Sequence, residues 1–116
     1  MATTSLPLNK FRLITSSLAT GNNTIYREDL DVASIVLSAQ ITNLTNQTHK
    51  ISVLIQKGVG GGYTTLAHSA SIPPEESFNP ISGKIVLERN DGFIVYTPAP
   101  AGSLDLVLSV LENANN

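Results

Sequence analysis

Cysteine is absent from this sequence. Its absence excludes a disulfide scaffold, a thiolate nucleophile and any Cys-ligated zinc, iron–sulfur or haem centre. Tryptophan is absent too, and three Tyr and three Phe are the only other large rings, which leaves few stacking platforms for sugars or bases. Charge is sparse: seven Lys and Arg stand against nine Asp and Glu, a formal net charge of -2 with no run of one sign. Such a balance offers no electrostatic footprint for nucleic acid or an anionic membrane. No stretch approaches the ~18 consecutive apolar residues of a membrane-spanning helix. The opening Met1-Ala2-Thr3-Thr4-Ser5-Leu6-Pro7-Leu8 lacks the basic and apolar regions of a secretory signal, and the lack of cysteine suits synthesis in a cytoplasm.

What the sequence does have is alternation with period two, the mark of strands that bury one face. The 116 residues suffice for one domain that buries about two-thirds of its unfolded surface without metal or disulfide. Residues 10–18 place Phe11, Leu13, Thr15 and Ser17 on one face and Arg12, Ile14, Ser16 and Leu18 on the other, as an edge strand does. Residues 35–42 place Ile35, Leu37, Ala39 and Ile41 inward, and residues 49–57 repeat the pattern with Ile51, Val53 and Ile55. These two are expected to form a hairpin across the polar turn 43–48. The glycine segment 58–62 leads into another strand from Tyr63, and Pro73-Pro74 must end that ladder because proline lacks the N–H donor. Residues 84–87 and 93–97 are expected to pair around the Asn90-Asp91-Gly92 turn.

The last strand, residues 104–111, is apolar on both parities: Leu104, Leu106, Leu108 and Val110 suit a core, while Val107 and Leu111 point the other way beside Asp105 and Ser109. The whole reads as an all-β antiparallel β-sandwich or jelly roll of about eight or nine short strands. It is expected to be a single domain, residues 1–116, with an N-terminal arm at 1–9 and a short tail at 113–116.

Chemistry is thin. Gly58 to Gly62 has neither the GxGxxG spacing nor a following Lys-Ser/Thr, so it reads as a hairpin tip rather than a phosphate loop. His49 and His68 are the only imidazoles, and no G-x-S-x-G elbow surrounds any serine. Glu28, Asp29 and Asp31 form the densest acidic cluster, without calcium-loop spacing. Asn-x-Thr sequons begin at Asn22, Asn43 and Asn46, in stretches that read as Asn/Thr-rich turns. No catalytic residue, metal ligand or cofactor is assigned, and an enzyme is not expected.

Several segments resemble a known group. They are Ile25-Tyr26 at a strand start, the strand 35–43 ending at an Asn turn, and Ile72-Pro73 before a turn. To these add Ser82-Gly83-Lys84-Ile85-Val86-Leu87-Glu88 with Asn90-Asp91, and the ending Gly102-Ser103-Leu104-Asp105-Leu106-Val107-Leu108-Ser109-Val110-Leu111-Glu112. Over roughly residues 11–112 the chain resembles the small all-β virion structural proteins of tailed bacteriophages, of the cyanobacterial myovirus type. It departs from them at Glu28-Asp29-Leu30-Asp31, where a Pro-Ala-Gly turn is usual, and at Asn90, where Gly is common. The resemblance implies a non-enzymatic virion component, either decorating the capsid or attached to the neck, tail or baseplate; the small size of the domain, with no long helix or coiled-coil stalk, favours capsid decoration. Its partners would be the major capsid protein or neck and tail components, in a homo-oligomer.

Val107 and Leu111 on the outer face of the last strand are expected either to carry contact with other protein or to be covered by the segment 1–10 of the same chain. A host-glycan-binding module is the alternative, with Gly60, Gly61, Glu28 and Asp29 in its contact loops.

Overall fold

In the computed structural model, described over residues 9–27 and 33–113, nine strands form two antiparallel sheets. They are β1 (Asn9–Ser17), β2 (Gly21–Arg27), β3 (Ser34–Asn43), β4 (His49–Gln56), β5 (Tyr63–Ile72), β6 (Ser77–Phe78), β7 (Ile85–Leu87), β8 (Gly92–Thr97) and β9 (Leu104–Asn113). The first sheet runs β1-β9-β3, with both short strands β6 and β7 on the far side of β3; the second runs β2-β8-β4-β5. The expected arm at 1–9 and tail at 113–116 fall almost wholly outside the described residues.

The pairings nest. The first strand pairs with the last, β2 with β8, β3 with β6 and β7, and β4 with β5. The chain is therefore one long doubled ribbon, closed at the β4–β5 loop and rolled so that successive pairs alternate between sheets. That is the jelly-roll solution to covering a sheet with itself.

Between the sheets lies a core of aliphatic side chains around Phe93, with Leu104, Leu106, Leu108 and Val110 of β9 all buried in it. The expected inward parity of β9 and of Ile51, Val53 and Ile55 on β4 is realised. On β3 the expected parity holds only in its second half. A bulge between Val36 and Ser38 inserts one residue, so Val36, Ala39 and Ile41 all reach the core while Ile35 and Leu37 stay half-buried.

Two expected hairpins do not form. Strands β3 and β4 lie in opposite sheets, as do β7 and β8. Each of these strands turns apolar side chains to the core, and crossing to the facing sheet lets those of both strands meet there, whereas a flat hairpin would need a further layer to cover them. Polar side chains hold these crossings. Asn43 Nδ2 donates to the carbonyls of Gln47 (2.7 Å) and Ile72 (3.0 Å), and Asn43 Oδ1 accepts from Thr45 N (2.9 Å), which steers the chain out of β3. At the other end Asp91 Oδ2 accepts from Glu88 N (2.9 Å) and Asp91 N donates to Glu88 O (2.9 Å), closing the turn between β7 and β8.

Candidate functional site

The outer face of the β1-β9-β3 sheet is set by register. Phe11 stands opposite Leu111, Leu111 opposite Ile35, and Ile35 opposite Val86, so one apolar row crosses four strands. Phe11 is 73% exposed, Leu13 68%, Val86 59% and Val107 40%, while Leu111 and Ile35 are half-buried between their neighbours. Val107 lies further along the same face, between Thr15 and Gln40. Both residues expected on this face are therefore there, and they belong to a larger surface that includes Phe11, Leu13, Ile35 and Val86. Alternation placed Phe11 and Leu13 on one face of their strand. That this face continues that of β9 depends on a pairing that period two does not encode.

Beneath the row, Glu112 continues the inward parity of β9 and puts a carboxylate where the preceding residues put leucine and valine. It is buried and satisfied from both sheets: Arg12 on β1 lies 3.0 Å from its Oε2, and Tyr26 on β2 donates its hydroxyl to the same oxygen. The Tyr26 hydroxyl also lies 3.0 Å from Ser34 Oγ, and the Arg12 guanidinium sits 6.0 Å over the Tyr26 ring. A buried charge needs such donors. The network ties β1, β2, β3 and β9 together at the end of the sandwich that carries the apolar row.

The glycine loop sits at the same end and is tethered. Asp91 accepts from Gly58 N at 3.1 Å and from Lys57 Nζ at 2.8 Å, and Lys57 also reaches Glu88 at 2.8 Å. Gln56 Nε2 donates to Gly61 O (3.1 Å), and Arg27 joins Gln56 (2.6 Å) to the carbonyl of Asn90 (2.8 Å). A Cβ on Gly61 would fall 1.7 Å from Lys57 O, so the turn closes only with glycine there. Burial works against ionisation of Asp91, but the Lys57 ammonium and the amides of Glu88 and Gly58 outweigh it and hold the carboxyl below its ordinary value. The same contacts raise Lys57, Asp91 more than Glu88. Of the expected contact-loop residues, Gly60 and Gly61 thus lie in a braced turn against residues 88–91; Glu28 and Asp29 lie outside the described residues.

One shallow hollow of about 360 Å³ opens along β1 and β9, lined by Thr15, Ser16, Ser17, Asp105, Leu106 and Val107. It offers hydroxyls and one carboxylate. His49 on β4 and His68 on β5 belong to the other sheet, so the hollow brings no imidazole to its serines. Among the described residues no three His, Asp or Glu side chains gather as a metal site.

Fold and face together define a jelly-roll domain with an apolar outer surface on its first sheet. No family model matches the chain, and no curated protein does. Among solved structures it is similar to a subunit of Bacillus endospore appendages, described as a family of disulfide-linked pili, with TM-score 0.57, 13% identity, 97% of this chain and 95% of that one covered. It is also similar to infectious bursal disease virus VP2 in its subviral particle, with TM-score 0.54, 9% identity and 94% of this chain covered. The Gx strain of the same virus gives TM-score 0.51, 11% identity and 92% of this chain. The chain spans about a third of the length of the viral chains, 33% and 32%. At these identities the likeness establishes the shared fold.

Proposed function

We propose that this chain is a non-enzymatic structural subunit that acts in many copies within a protein assembly, and that the assembly is the virion of a tailed bacteriophage. The observation that carries the reading is the apolar row Phe11, Leu111, Ile35 and Val86 on the outer face of the first sheet, with Leu13 and Val107 beside it. Exposed apolar surface on a small domain marks a contact with other protein. Support comes from the fold, shared with a pilus subunit and with a virus-particle protein, and from the resemblance of residues 11–112 to phage virion proteins. Without cysteine, its contacts form by burial of surface rather than by disulfide linkage.

Within the virion we favour decoration of the capsid. A small sandwich with no helix among its described residues suits attachment in many copies to a repeating surface, with the major capsid protein as partner. Neck, tail or baseplate attachment is the alternative. Quantifying this chain on a gel of purified particles separates the two: a decoration protein is present at a copy number comparable to the major capsid protein, a neck or baseplate protein at a small fraction of it. Imaging the particle then locates it, and density confined to the tail overturns the capsid assignment. Absence of the chain from particles overturns the virion reading.

A further inference from the structure

Each sheet of an open sandwich has two edges, and natural proteins blunt them with bulges, short strands or cover. Three of the four edges here are blunted. On one side of the first sheet stand only β6 and β7, of two and three residues. In the second sheet β2 carries a register shift between Thr24 and Tyr26. Its other edge, β5, meets two shifts in its pairing with β4 and bends at Ser69, whose φ is 49°. The fourth edge, β1, is nine residues long, pairs with β9 without a shift, and contains no proline. Among the described residues no strand pairs along its open side.

Hydrogen-bonding parity shows what that side presents. Leu18, next in line after β1, donates its N–H to Leu104 O (2.9 Å) and accepts from Gly102 N (3.1 Å). Alternation along an antiparallel strand therefore turns the even-numbered residues toward β9 and leaves the N–H and C=O groups of Asn9, Phe11, Leu13, Thr15 and Ser17 on the open side.

We propose that β1 pairs antiparallel with β1 of a second copy about a two-fold axis at Leu13. As the longest open edge without a register shift among the described residues, β1 finds its best mate in its own copy, which makes the contact isologous. Charge selects the register. An axis at Phe11 sets Lys10 opposite Arg12, an axis at Arg12 sets Arg12 opposite itself, and both are penalised by like charges across a strand pair. An axis at Ile14 runs the ladder off the end of the strand. The axis at Leu13 sets Leu13 opposite Leu13, Phe11 opposite Thr15, Lys10 opposite Ser16 and Asn9 opposite Ser17, so every open backbone group on β1 meets its complement. It also joins the outer faces of the two first sheets into one apolar belt. Its place in an assembly rests on the structural-subunit reading above; the pairing itself does not.

Because the chain has no cysteine, single substitutions report the register. In this pairing the two Leu13 Cα atoms lie about 5.5 Å apart, within disulfide range. Two Thr15 or two Phe11 positions are offset by four residues, roughly 13 Å along the strand, and out of range. Mild oxidation is expected to double the 12.3 kDa mass of Leu13→Cys, to leave Phe11→Cys and Thr15→Cys single, and to cross-link an equimolar mixture of those two. Equal cross-linking of all three variants alone, or none at Leu13→Cys, overturns the pairing. Leu13→Pro gives a second readout: that N–H faces the open side, so the monomer should keep its circular-dichroism spectrum and lose the dimer. In the Val107→Thr, Leu111→Thr background, where the outer face is weakened, a dimer that survives this substitution also overturns the proposal. Chain found in particles without the Leu13→Cys cross-link sinks the pairing and leaves the virion reading intact; the cross-link in a chain missing from particles does the reverse.

Discussion

Asn43 is 1% exposed and its side chain does the work of a crossing device: its amide serves the carbonyls of Gln47, Ile72 and Pro73 while its oxygen accepts from both the N–H and the hydroxyl of Thr45. Replacing it by Ala strands several of these groups away from water, and the expected loss is about 1–3 kcal/mol in a denaturant titration. Its sequon is therefore part of the folded frame, unlike the exposed Asn22 and Asn46. Asp91 plays the matching role at the opposite end. Its folded pKa lies below the ordinary 3.8, so its contribution to stability is complete above that value and is lost as pH falls through the lowered folded one. Urea midpoints of the native chain should fall more steeply in acid below about pH 4 than those of Asp91→Asn. At neutral pH Asp91→Asn should cost about 1–3 kcal/mol, since it weakens charge-assisted bonds to Lys57 and to two amides. Equal acid slopes for the two proteins would show that Asp91 gains nothing from its partners.

At the scale of the element, β9 is the spine of the fold. It lies between β1 and β3 and gives its even-numbered side chains to the core. Leu108→Ala should therefore cost about 2–5 kcal/mol, whereas Val107→Thr, one residue away on the outer face, should change the stability of an isolated monomer by less than about 0.5 kcal/mol. Thermal melts of the two variants at low concentration check the contrast.

That parity was legible in the sequence because β9 is regular, and the edge position of β1 was legible from its half-polar faces. Period two says which residues share a face and stays silent on which strand lies alongside. The hairpins expected between β3 and β4 and between β7 and β8 failed for that reason: in a jelly roll the mates are distant in sequence, and Asn43 and Asp91, which read as ordinary turn residues, carry the chain across instead. The bulge at Val36–Ser38 left no mark in the alternation of hydrophobic residues. Of the outer surface, Val107 and Leu111 stood out because they break the polar pattern of their own strand. Phe11, Leu13 and Val86 join them only through register.

Over its described residues the molecule is a ribbon rolled shut on its apolar side that keeps a second apolar surface outside. Burial of that surface stabilises contact at about 25 cal/mol per Å² before the costs of association are subtracted, and a net charge of only -2 sets little repulsion against it. The similar pilus subunit belongs to a disulfide-linked family. On the structural-subunit reading proposed above, attachment is by this face and by the open edge of β1. Sedimentation velocity over a concentration series, on the native chain and on the double variant Val107→Thr, Leu111→Thr, tests this most directly. The account predicts species larger than a dimer for the native chain, a dissociation constant raised about ten-fold or more in the variant, equivalent to ~1.4 kcal/mol, and an unchanged melting temperature for its dilute monomer. Identical distributions for the two proteins, with the variant melting as low as Leu108→Ala, would contradict it and show that the outer face is covered by the monomer itself.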